Sequence, residues 1–265
     1  NIVVWPTPNN GYRPILPSLL SVRLEGLFSD PLVAGANSWM VQAEGFIDSV
    51  GADGSGFPLV ANDGVWDEMS ELGYVHIPLL TIRQLDPGPH TLYLHGKDVA
   101  GNWGPTGSTT LIIDKIGPDV TALDVQPNPT GGSTGVTLTG TLFDSANPGG
   151  APASNLTAAE WFEGSDPGAG MGTPVYAADS AFDSPSEQLF AAISVIGWHP
   201  GDHTLFVRGQ DEAGNWGPTA SIILTVRGRG ANAIFADGFE AGNTNAWSQA
   251  IGAVSVVPDA AMSGT

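Results

Sequence analysis

One block of sequence occurs twice. Residues 90–106 read HTLYLHGKDVAGNWGPT and residues 203–219 read HTLFVRGQDEAGNWGPT, with twelve of seventeen positions identical at a spacing of 113 residues. A repeat restricts the fold more than any other feature, because each copy must build the same local structure. The similarity extends backwards. Ala43-Glu44-Gly45-Phe46 aligns with Ala159-Glu160-Trp161-Phe162, and the glycine-rich stretch 48–58 with 164–174. Asp63 to Asp67 aligns with Asp179 to Asp183. Here the spacing is 116 residues, so a three-residue length difference falls before the second block. Further back, Leu27-Phe28 is matched to Leu142-Phe143. A unit of about 115 residues is the size of a β-sandwich and too long for a solenoid repeat.

The pattern inside the unit is that of short strands. Residues Val136 to Phe143 alternate apolar and polar with period two, as does the run from His203 to Arg208. Leu205 and Val207 are expected on one face, with Thr204, Phe206 and Arg208 on the other. Strands at Thr91–His95 and Thr109–Ile113 in the first unit match those at His203–Arg208 and Ser221–Val226 in the second. The Asp-x-Ala-Gly-Asn-Trp-Gly-Pro segment joins each pair as a hairpin connection. The chain has 36 Gly and 21 Pro in 265 residues, a frequency that long helices do not tolerate and turn-rich β structure does. The expectation is an all-β chain of two tandem sandwiches, at residues 1–114 and 119–227. Residues 115–118 form a short, proline-containing linker that restricts the angle between them, and residues 228–265 form a strand-forming tail.

Charge narrows the partners. There are 27 acidic and 8 basic residues, for a formal net charge of −19. Such a surface repels nucleic-acid phosphates and anionic membranes and attracts divalent cations. The absence of cysteine excludes disulfides, thiolate catalysis and cysteine zinc sites. No apolar run approaches the ~20 residues of a membrane-spanning helix, and Asn1 reads as a mature or trimmed start.

The Asp-x-Ala-Gly-Asn block, preceded by His-Thr-Leu-aromatic-x-x-Gly, resembles the final hairpin of bacterial immunoglobulin-like repeats. That resemblance covers residues 1–227. It implies an immunoglobulin-like β-sandwich and an extracellular setting, in adhesins, surface proteins or accessory regions of secreted hydrolases. A second stretch, Phe235-Ala236-Asp237-Gly238-Phe239-Glu240-Ala241-Gly242-Asn243-Thr244-Asn245-Ala246-Trp247, is similar to the opening of a concanavalin- or laminin-like jelly roll. Only 18 residues follow Trp247, so that module is incomplete here.

Two readings of each polar motif stand side by side. Asp98 with Asn102, and Asp211 with Asn215, offer oxygen ligands to calcium, as Asp237 and Glu240 do in the tail. Equally, each aspartate can accept amide hydrogen bonds from its own turn while glycine supplies the positive φ. Trp103 and Trp216 either stack on a glycan or cap the core. The stretches 48–58 and 164–174 read as plain long hairpin loops. His90 and His203 are repeat equivalents, which argues for a structural role. No nucleophile elbow or zinc-protease motif is present in the sequence.

The expected function is therefore non-catalytic, structural or adhesive, at the cell surface or in secretion, with calcium as the one cofactor to consider. Its partners are copies of itself, other domains of the same protein, or glycans. A specific form is a self-assembling filament subunit, in which the strand-like segment 250–257, with Val254 and Val256, pairs with a neighbour's sheet edge. The alternative is an accessory, carbohydrate-binding region of a larger secreted hydrolase.

Overall fold

The computed structural model describes residues 1–32, 37–147 and 149–227. Asp237, Glu240, Val254 and Val256 lie outside the described residues.

The first module contains β1 (Ile2–Trp5), β2 (Ser21–Ser29), β3 (Met40–Ile47), β4 (Phe57–Pro58), β5 (Val60–Ala61), β6 (Ser70–Pro78), α1 (Leu79–Gln84), β7 (Gly88–Asp98) and β8 (Gly107–Ile113). They form two antiparallel sheets, ordered β1-β2-β6-β5 and β4-β3-β7-β8. The second module contains β9 (Asp119–Gln126), β10 (Gly135–Phe143), β11 (Leu156–Glu163), β12 (Thr173–Ala177), β13 (Ser186–Ser194), β14 (Gly201–Asp211) and β15 (Ala220–Val226). Its strand order is β15-β14-β11-β12-β13-β10-β9. Strand β12 pairs with β11 through Thr173–Val175, then with β13 through Tyr176 and Ala177, so one strand serves both faces of the sandwich. This strand arrangement is immunoglobulin-like.

Each core lies between the two faces. In β10 the inward positions are Val136, Leu138, Gly140 and Leu142; from the opposite face Leu205, Val207 and Leu224 are fully buried. Leu24, Leu92, Leu94, Leu111 and Ile113 occupy the same role in the first module. Each buried leucine contributes about 1.5–3 kcal/mol relative to exposure.

The structure corrects one alignment. Phe28 is buried and Leu27 exposed, while Leu142 is fully buried. Phe28 therefore corresponds to Leu142, not Phe143, and Gly26 to Gly140. A one-residue slip along a strand places every side chain on the wrong face, so burial fixes the register. The three-residue length difference is also explained. Leu79 and Val195 each donate a backbone hydrogen bond to the strand-entry segment, at Leu20 and Thr134. His90 and His203 likewise reach the carbonyls of Asp86 and His199. The extra residues lie between these points, in α1, a single helical turn that buries Leu79 and Ile82.

Candidate functional site at the module junction

The Asp-x-Ala-Gly-Asn segment folds identically in both copies. Asp98 Oδ1 accepts from the Asn102 amide at 2.8 Å, and its Oδ2 from Asn102 Nδ2 at 3.0 Å. Asp211 Oδ1 accepts from the amides of Gly214 and Asn215, both at 2.8 Å, and its Oδ2 from Asn215 Nδ2 at 2.8 Å. Gly101 and Gly214 have φ of +93° and +98°, a region that glycine enters without the steric cost of a Cβ. Both asparagines present their amide nitrogens, as donors that brace the aspartate.

A second aspartate meets each turn from the segment after the second strand of its module. Asp30 Oδ2 accepts from the amide and hydroxyl of Ser38, and Ser38 Oγ also donates to Asp98 Oδ2 at 3.1 Å. Asp144 Oδ2 accepts from the Ser154 amide in the same way. Here the copies diverge, because the second module receives a third carboxylate from Asp114, the residue that leads into the linker. Asp114 Oδ1 accepts from Asn147 Nδ2 and Oδ2 from Ser154 Oγ, while its carbonyl accepts from Asn215 Nδ2 at 3.1 Å. Asp114, Asp144 and Asp211 each bring a carboxylate oxygen to within 4.8 Å of the others.

All three are buried: Asp114 is 0%, Asp211 1% and Asp144 6% exposed. None takes part in an ion pair among the described residues. The nearest linker cation, Lys115, turns its Nζ to the carbonyls of Arg83 and Leu85 instead. Burial raises Asp211 to about 7, and the charges of Asp114 and Asp144 push the same way against the Asn215 hydrogen bonds. Burial raises Asp144 to about 6, aided by the charges of Asp114 and Asp119. Asp98, without a third carboxylate, is held below the usual range, chiefly by Asn102. Three crowded buried carboxylates can share protons or hold a hard cation.

The linker packs tightly over the same end of the second module. A Cβ added at Gly217 would overlap the Pro118 carbonyl oxygen, and one at Gly117 would overlap the backbone at Trp216 and Gly217. In the first module the corresponding end borders a cavity of about 500 Å³, lined in part by Phe28, Asp30, Met40, Asp98, Asn102 and Trp103. Trp103 stacks on His95 with ring centroids 4.6 Å apart; Trp216 lies 5.7 Å from the Arg208 guanidinium.

The glycine-rich stretches are the long hairpin loops expected, joining β3 to β4 and β11 to β12, and a buried glutamate braces each of them. Glu44, 1% exposed, accepts from the amides of Gly54 (2.8 Å) and Gly56 (2.7 Å) and from His95 Nε2 (2.7 Å). Burial pushes its carboxyl up, but these donors outweigh burial and leave it below the usual range. Glu160 holds Gly170 and Gly172 in the same way and takes Arg208 Nε at 2.6 Å. Arg208 also pairs with both oxygens of Asp166. It lies on the outward face, as its strand alternation requires, yet is only 6% exposed because these partners and Trp216 cover it. His90 and His203 bridge Asp48 and Glu163 at 2.8 and 2.7 Å.

Sequence reasoning missed Asp114, Asp144, Glu44 and Glu160. A signal existed for the last pair, in the aligned Ala-Glu-x-Phe segments. Asp144 was hidden by the one-residue slip, which removed its match to Asp30.

No protein-family model and no curated protein sequence matches the chain. Among solved structures it is similar to the fibronectin(III)-like modules of Clostridium thermocellum CbhA, at 11% identity and a TM-score of 0.34, covering 86% of this chain and 95% of that one. It is also similar to the D00-D0 domain of intimin, at 10% identity and a TM-score of 0.23, covering 85% of this chain and all of that one. Among the described residues no helix is long and apolar enough to cross a membrane.

Proposed function

We propose that this chain is a non-catalytic structural segment of a secreted or surface protein, in which two immunoglobulin-like modules are held as one stiff unit. The observation that carries this reading is the burial of Asp114. A flexible tether leaves its polar groups to water, whereas Asp114 is 0% exposed and engages Asn147, Ser154 and Asn215 of the following module. A joint bonded in this way resists bending and suits a stalk or spacer. The conspicuous polar residues support the same reading, since they are engaged in holding backbone: Asp98 and Asp211 close turns, and Glu44 and Glu160 brace loops. Assembly through the segment that holds Val254 and Val256 is an extension of this proposal that lies outside the described residues.

Residual dipolar couplings test it. Alignment tensors fitted separately to the two modules coincide if the joint is fixed. Tensors of clearly different magnitude would mean independent tumbling and would remove the support.

A further inference from the structure

We propose that Asp114, Asp144 and Asp211 bind one calcium ion, which ties the linker to the second module. Two independent observations point to a ligand. The first is geometric. Oxygens bound to calcium lie about 2.3–2.6 Å from it, so any two are at most about 5 Å apart. The three carboxylates meet that limit, with oxygens all within 4.8 Å of one another. The second is an unmet bonding requirement. Among the described residues Asp144 Oδ1 is buried without a hydrogen-bond partner, on a residue only 6% exposed whose carboxylate lies beside the other two. Buried polar atoms almost always have a partner, and a bound ion is one of the groups that supplies it.

The donor chemistry selects the cation. The cluster holds carboxylates, without histidine or cysteine, which favours a hard oxygen-seeking ion over zinc or copper. Calcium tolerates irregular geometry and completes its shell of six to eight oxygens with water or carbonyls. Asn147 and Ser154 hold the Asp114 carboxylate in place by hydrogen bonds, and Asn215 holds that of Asp211. The first module brings Asp30 and Asp98 together through Ser38, with no third carboxylate beside them among the described residues. The site belongs to the junction and not to the module as such.

This deepens the reading of the junction as a fixed joint, and its test separates the two. The full chain, stripped with chelator, is titrated with calcium chloride by calorimetry, and thermal unfolding is followed with and without the ion. One saturable site is expected, in the range of about 10⁻⁴–10⁻³ M typical of extracellular modules, with a calcium-dependent rise in Tm. Asp144→Asn and Asp211→Asn weaken binding at least tenfold. Each removes a buried charge, so circular dichroism shows both still folded. Asp53→Asn, on an exposed loop, leaves binding unchanged. Absence of a saturable site overturns the proposal, as does binding equal to the parent in both junction variants, which would place the ion on surface carboxylates. Coinciding alignment tensors without calcium binding would sink the ion and keep the joint; calcium binding by independently tumbling modules would do the reverse.

Discussion

Gly217 lies so close to the carbonyl of Pro118 that no side chain fits between them. Its repeat equivalent, Gly104, has nothing nearer to an added Cβ than the Gly96 oxygen at 3.6 Å. The same Trp-Gly-Pro sequence is therefore under different constraint in the two modules. Gly217→Ala is expected to cost about 1–3 kcal/mol, the usual cost of overpacking, and to disturb the joint. Gly104→Ala, at an exposed position, should change stability by less than about 0.5 kcal/mol. Urea unfolding of both variants makes the comparison. Equal effects would show that the linker does not sit on the second module.

Glu44 and Glu160 hold equivalent loops but against different partners. Glu44→Ala leaves two loop amides and His95 without their acceptor, a loss of about 1–3 kcal/mol. Glu160→Ala also strips one carboxylate from a buried arginine, so about 3–5 kcal/mol is expected. Amide exchange should accelerate at Gly54 and Gly56 in the first variant and at Gly170 and Gly172 in the second. Unchanged exchange at those glycines would mean that the loops hold themselves.

The histidine at the start of β14 carries a pH dependence. Glu163 raises the His203 value, with the His199 carbonyl acting in the same direction. A histidine raised in the folded state adds stability that is fully present below about pH 6.5, the ordinary histidine value, and is lost as pH rises through the folded value. The second module should therefore lose stability across that window, and His203→Gln should flatten the dependence. Because Glu163 is nearly half exposed, the effect is small, and an NMR titration of the His203 ring reads it directly. A ring value at or below the ordinary one contradicts the pairing.

The sequence carried much of this fold, for a simple physical reason. Strand alternation and turn glycines are local, and the repeat displays them twice, so β7 with β8 and β14 with β15 are legible as hairpins. Contacts between distant segments are not legible in that way. Asp114 reads as the last residue before a linker, and only the folded chain brings it beside Asp144 and Asp211. Glu44 and Glu160 sit at strand positions where alternation says nothing about a loop ten residues away. Arg208 follows the alternation faithfully and is still buried, because acids from elsewhere cover its outward face. The short α1 went unread because one helical turn carries no periodicity.

The central claim is that the linker is built into the second module, and a distance distribution between the modules tests it most directly. The chain has no cysteine, so Ser70→Cys with Thr139→Cys places one spin label on an exposed strand position of each module. Pulsed electron double resonance should give a single narrow distribution, which Asp114→Gly broadens. A broad distribution in the parent pair, unchanged by Asp114→Gly, would contradict the account.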